Sequence, residues 1–89
     1  MIKTNIAIIN KLGLHARAAA KFVSTATAFS CDIKAGKNGP LVDGKSIMSI
    51  MMLAASKGTE LELHFDGSDE QLAMEAITEL INNRFDEDE

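Results

Sequence analysis

Thr59-Glu60-Leu61-Glu62-Leu63-His64-Phe65-Asp66 alternates polar and apolar side chains strictly from Glu60 onward. Leu61, Leu63 and Phe65 fall on one side of an extended chain, and Glu60, Glu62 and His64 on the other, so the segment reads as a half-buried strand. Residues 2–9 carry the same signal, with Ile2, Thr4, Ile6 and Ile8 on one side. Cys31, Ile33 and Ala35 alternate with Asp32 and Lys34, and Asn38-Gly39 is a turn signal ahead of a short strand around Leu41 and Val42. These last two strands form a hairpin.

The stretches between the strands have helical period. Ala19, Phe22, Val23, Ala26 and Phe29 follow the i, i+3, i+4, i+7 rule and define one core-facing stripe. Asp43-Gly44-Lys45-Ser46 opens a second helix with Ser46 as its N-cap. Ser68-Asp69-Glu70-Gln71 has the form of a capping box, and Ala73, Ala76, Ile77, Leu80 and Ile81 continue as an amphipathic helix. The order β-α-β-β-α-β-α, with helices that each need an apolar surface to cover, predicts an α/β (α+β) open-faced sandwich with three helices on one sheet face. The first two strands run the same way if the helix between them returns the chain. Placing the fourth strand between them makes every neighbouring pair antiparallel and gives the order 1-4-2-3.

A chain of 89 residues forms a single domain, residues 1–89. With 46% hydrophobic and 25% charged residues it is neither disordered nor built to span a membrane. Residues 1–10 hold one Lys and no cleavable-signal pattern, so a cytoplasmic location is expected. The lone Cys31 has no partner for an internal disulfide, and its place in an alternating pattern predicts a buried core thiol. The net charge of −4 conceals a division. Residues 1–59 hold eight Lys/Arg against two Asp/Glu, whereas residues 60–89 hold one Arg against eleven Asp/Glu. The basic part suits phosphate or an acidic protein partner. Nucleic acid is not expected, because the basic residues are dispersed and there is no Trp or Tyr to stack on bases. The run Asp86-Glu87-Asp88-Glu89 reads as a solvated, frayed tail.

The start of the first helix, Gly13-Leu14-His15-Ala16-Arg17-Ala18-Ala19-Ala20-Lys21-Phe22-Val23, has none of the usual capping residues. With His15 at the cap position and Arg17 in the first turn, a ring nitrogen, a guanidinium and several free N–H groups converge on one small volume. That is an anion site, and phosphate is its commonest guest. The positive field there favours the neutral, nucleophilic ring. An imidazole beside such a site can itself accept a phosphoryl group, giving a phosphohistidine held by backbone N–H groups and Arg17. The plainer reading is a histidine that ends a helix and a solvated arginine. His64 is remote in sequence, and no spacing of His, Cys and carboxylates supports a metal centre; no cofactor is implied.

The second helix is too apolar for one stripe. Ile47, Met48, Ile50, Met51, Met52 and Leu53 point in nearly every direction, so some must be exposed, as on a surface where a protein docks. Gly39-Pro40-Leu41-Val42-Asp43-Gly44-Lys45-Ser46 fits the Walker A expression. Pro40 lacks an N–H to offer a phosphate, however, and Leu41-Val42 favours a strand. An acyl carrier would also be small and acidic with a serine at a helix start, but such carriers are all-helical.

Asn10-Lys11-Leu12-Gly13-Leu14-His15-Ala16-Arg17, followed by Gly44-Lys45-Ser46-Ile47-Met48 and Lys57-Gly58, resembles the HPr family, phosphocarriers of the bacterial phosphoenolpyruvate-dependent phosphotransferase system. The resemblance runs essentially end to end. It implies that His15 is phosphorylated through Nδ1 by enzyme I, that Arg17 steadies the phosphoryl group, and that a IIA domain is the acceptor. It further implies that Ser46 can be phosphorylated by a serine kinase/phosphorylase, that Ala20, Ile47, Met48 and Met51 contact partners, and that the protein is a monomer. Both the sugar branch and the nitrogen branch of the system are compatible with these motifs. An HPr-like regulator of the nitrogen-branch type, acting mainly by docking, is the alternative; regulators that carry no phosphate typically lack the histidine. Ala18 stands where the family usually has proline, and Ala54 where many members have glycine. Loss of the proline should loosen the helix start slightly without removing a reacting group.

Overall fold

In the computed structural model, which describes all 89 residues, the strictly alternating segment forms β4 (Glu60–Asp66) in the interior of a four-stranded sheet. It pairs antiparallel with β1 (Ile2–Ala7) on one side and with β2 (Asp32–Gly36) on the other, and β3 (Val42–Asp43) borders β2. The order is therefore β1-β4-β2-β3, as expected. Register explains how one face becomes apolar. Ile2, Thr4 and Ile6 stand opposite Phe65, Leu63 and Leu61, while Ile33 and Ala35 stand opposite Phe65 and Leu63. The alternations of three strands are thus in phase, and a one-residue slip would turn each set of apolar side chains to the solvent face.

Three helices cover that face: α1 (Ala16–Thr27), α2 (Ile47–Met52) and α3 (Glu70–Asn82). Phe22 and Ala26 of α1, Ile50 of α2, and Ala73, Ile77 and Ile81 of α3 are fully buried with Leu61, Leu63 and Phe65 of β4. Cys31 is buried in the same core, and its thiol pKa is raised by that burial and by the neighbouring Asp69. The Walker-like stretch is β3 and its flanks, with Gly44 packed on the backbone of Ile33. No helix is long and apolar enough to cross a membrane.

Two local expectations are corrected. The capping box at Ser68 does not form, because the N-cap of α3 is Asp69 and its carboxylate is engaged elsewhere. Asp69 accepts hydrogen bonds from the N–H groups of Ser30 (2.8 Å) and Cys31 (2.9 Å), fixing the chain as it turns into β2. Glu70 reaches back instead to the N–H of Gly67 at 3.1 Å. The acidic ending is not a frayed tail either. Arg84, Phe85 and Asp86 take three successive left-handed conformations, and Phe85 is driven fully into the core. Burial of an aromatic side chain outweighs the backbone strain and returns residues 86–89 across the start of α1.

Candidate functional site

The site begins with the loop from β1 to α1. Gly13 adopts φ +67 and passes so close to the next loop that a Cβ would lie 2.4 Å from the Ala55 carbonyl oxygen. Only glycine fits both conditions. Leu14 N–H donates to that same carbonyl at 2.9 Å, and Asn10, fully buried, donates to the Gly13 carbonyl at 2.8 Å. The path into α1 is therefore fixed from both sides. His15 follows in extended conformation as the N-cap, and its side chain makes no capping hydrogen bond. The first helical bond runs from Ala19 N–H to the His15 carbonyl, which leaves the N–H groups of Ala16, Arg17 and Ala18 free of intrahelical acceptors. Ala18 therefore gives up no helical hydrogen bond at the position where the family's proline would stand.

Arg17 and Ala20 are exposed, whereas His15 is half-buried. An open cleft of about 500 Å³ lies over this helix start, with Lys11, His15, Arg17 and Lys21 among its walls. Asp86, Glu87, Asp88 and Glu89 form the rest of its polar lining, so basic side chains of the helix start face acidic ones of the chain ending across the cleft. The unforeseen part of the site is the chain ending. Glu87 bonds through its carboxylate to Nε2 of His15 and accepts from the Asn10 amide at 3.0 Å. Lys21 donates to the Phe85 carbonyl at 2.9 Å and pairs with Asp86, and the Lys11 N–H donates to the Glu89 carbonyl. Burial by itself raises the Glu87 pKa. The hydrogen bonds from Asn10 and His15, together with the positive charge of Arg17, outweigh it and hold the carboxyl below its ordinary range.

Ser46 lies apart from the His15–Glu87 contact. It caps α2, its hydroxyl accepting from the Ser49 N–H at 3.3 Å. Ile47, Met48, Met51 and Met52 are all exposed around Ser46, with Met48 and Met52 at 70% and 78% exposure, and Leu12 adds another exposed apolar side chain. The apolar excess of this short helix thus forms a surface. Sequence reasoning missed Glu87 and Asn10. The only sequence signal for the former was the sign of its charge, opposite to that of the helix start, and nothing in local spacing marked the latter.

A histidine beginning the first helix of a β1-β4-β2-β3 open-faced sandwich is the framework of a phosphocarrier. Residues 2–83 match the family described as the PTS HPr component phosphorylation site. The chain is 62% identical to the phosphocarrier protein HPr of Pseudomonas aeruginosa, over 94% of each chain. Among solved structures it resembles HPr from Thermoanaerobacter tengcongensis, with 45% identity, full coverage of both chains and a TM-score of 0.95. It also resembles Crh, a catabolite repression protein of Bacillus subtilis solved as a swapped-domain dimer, with 40% identity over 94% of this chain and 97% of that one and a TM-score of 0.75. The chain belongs to the HPr family, the phosphocarrier proteins of the phosphotransferase system.

Proposed function

We propose that the chain accepts a phosphoryl group from enzyme I on Nδ1 of His15 and passes it to a IIA domain. The observation that carries this reading is the uncapped start of α1, where a histidine stands at the mouth of three free backbone N–H groups. Those donors and the macrodipole stabilise a dianionic group held there. Nε2 is engaged by Glu87, which leaves Nδ1 as the ring nitrogen available for bonding. Arg17, exposed beside the ring, supplies a charge-assisted contact to phosphate. On this reading the chain is a relay between enzymes rather than a self-sufficient enzyme, and it works as a single domain of residues 1–89 in the cytoplasm.

The exposed side chains of Ala20, Ile47, Met48 and Met51 form the docking face for enzyme I and IIA domains. Methionine suits a surface that must fit more than one partner. Ser46 at its edge is the site for a regulatory serine kinase/phosphorylase. The working form is a monomer, which leaves this face free. A mass measurement after incubation with phosphoenolpyruvate, Mg²⁺ and enzyme I, repeated after addition of a IIA domain, tests the relay. The mass should rise by one phosphoryl group and then return to that of the parent. Retention of the group in the presence of competent IIA domains would favour the docking regulator instead. Arg17→Ala should fold normally and transfer more slowly, and unchanged kinetics would return Arg17 to a solvated residue.

A further inference from the structure

The ending of the chain carries an inference that the helix start alone does not. Glu87 lies outside the matched family segment, residues 2–83, yet its carboxylate is the only side chain bonded to the His15 ring. Its side chain is only 13% exposed, and it is held from behind by Asn10, whose other amide proton ties it to the loop that delivers His15. Three left-handed residues, Arg84, Phe85 and Asp86, precede it. Such strain persists where the surrounding structure holds it in place. Here the anchors are the buried Phe85 and the Lys21 bond to its carbonyl.

We infer that Glu87 is a positioning residue for phosphoryl transfer, because its carboxylate at Nε2 of His15 keeps the ring proton on that nitrogen and leaves the Nδ1 lone pair free to attack. The inference rests on His15 being the acceptor. A carboxylate can only accept, so Nε2 must donate. A neutral ring so held has one proton, on Nε2, and a bare Nδ1. During transfer the bond from Nδ1 to phosphorus forms as the bond from phosphorus to the donor breaks, and the electron pair of that broken bond stays with the donor. No proton moves. The positive charge that develops over the His15 ring faces the Glu87 carboxylate through the Nε2–H, an arrangement in which an outer carboxylate both orients an imidazole and stabilises its cation.

Nitrogen-15 NMR of the His15 ring, read at a pH where the ring is neutral, distinguishes the two nitrogens in the full-length protein and in Glu87→Ala. The parent should show a single tautomer with the proton on Nε2. Glu87→Ala should show exchange between tautomers and a phosphoryl transfer rate about tenfold lower, carried in kcat more than in KM. Its melting curve reports whether the fold is kept, and the ring signals report the tautomer even if the melt shifts. An unchanged tautomer in Glu87→Ala would overturn the inference. So would transfer as fast as the parent, or faster, since a faster variant identifies the tail as a cover over His15. Labelling of the parent at a residue other than His15, mapped by mass spectrometry of its peptides, would instead refute the underlying acceptor assignment separately from the ring measurement.

Discussion

The side-chain amide of Asn10 donates to the Glu87 carboxylate at 3.0 Å while its second proton goes to the Gly13 carbonyl at 2.8 Å, and Asn10 is fully buried. The amide has one workable orientation. Turned over, its oxygen would oppose both a carbonyl and a carboxylate. That orientation leaves Oδ1 buried without a partner, so the fold accepts an unsatisfied acceptor to keep both donors in place. Asn10→Ala should lower the unfolding free energy by about 1–3 kcal/mol, since two acceptors lose their donor. Asn10→Asp should be worse at neutral pH, because a buried carboxylate then faces Glu87 and the Gly13 carbonyl. Its disadvantage should shrink as acid protonates the new side chain. Urea titrations at neutral and mildly acidic pH decide, and equal midpoints for parent and both variants would contradict the role.

Ala54, the residue after the Leu53 C-cap of α2, has φ +52, with its N–H on the Met51 carbonyl at 3.0 Å. This is a helix ending that glycine satisfies without strain. The glycine common at this position in the family therefore has a backbone reason. Ala54→Gly should raise stability by about 1 kcal/mol, less the extra flexibility it gives the unfolded chain. For a domain of this size the melting temperature should rise by several degrees, and an unchanged or lower value would show that the loop relaxes around alanine.

Asp69, Glu70 and Glu87 all have pKa values depressed by the fold. For Asp69 the main cause is the Ser30 N–H; the Ser30 hydroxyl and Cys31 act in the same direction, and partial burial opposes them. Because each folded value lies below the unfolded one, the associated stability is present above the ordinary carboxylate range. It is lost as pH falls through the depressed values. Urea midpoints followed from roughly pH 7 to pH 3 should therefore fall on the acid side. Asp69→Asn should lower the neutral plateau and flatten that decline. A parallel curve for the variant would remove Asp69 as a source of acid sensitivity.

Ser46 combines a structural role with a proposed regulatory one, and two substitutions separate them. Ser46→Ala removes the acceptor for the Ser49 N–H and should cost about 1 kcal/mol while leaving transfer from enzyme I largely intact. Ser46→Asp keeps an acceptor and adds a charge that a helix start tolerates, so its melting temperature should hold or rise slightly. Its transfer should weaken, because a charge beside Ile47, Met48 and Met51 is desolvated when a partner docks, a loss on the order of tenfold to a hundredfold in affinity. Equal transfer by Ser46→Asp and the parent would leave Ser46 as a cap alone.

The sheet was legible because Leu61, Leu63 and Phe65 repeat with period two and because Ile2, Ile6, Ile33 and Ala35 have matching phase; register then follows from burial. The uncapped helix start was legible from residue types alone, and so was the exposed surface of α2, since Met48 and Met52 could not share a stripe with Ile50. Asp69 misled because a sequence pattern for a local cap cannot show that a carboxylate will be taken by Ser30 and Cys31, 39 and 38 residues away. Glu87 was hidden for the same reason. Its partners Asn10 and His15 lie 77 and 72 residues earlier, and the strained turn that delivers it is set by burial of Phe85 rather than by any glycine or proline.

The central claim is that His15 carries the phosphoryl group. The most direct measurement is the intact mass of the protein after incubation with phosphoenolpyruvate, Mg²⁺ and enzyme I, with site mapping and with His15→Ala in parallel. One phosphoryl group per chain is expected on His15, lost in acid, stable in alkali as a phosphoramidate should be, and absent from His15→Ala. A group that survives acid, or equal labelling of His15→Ala, would contradict the account.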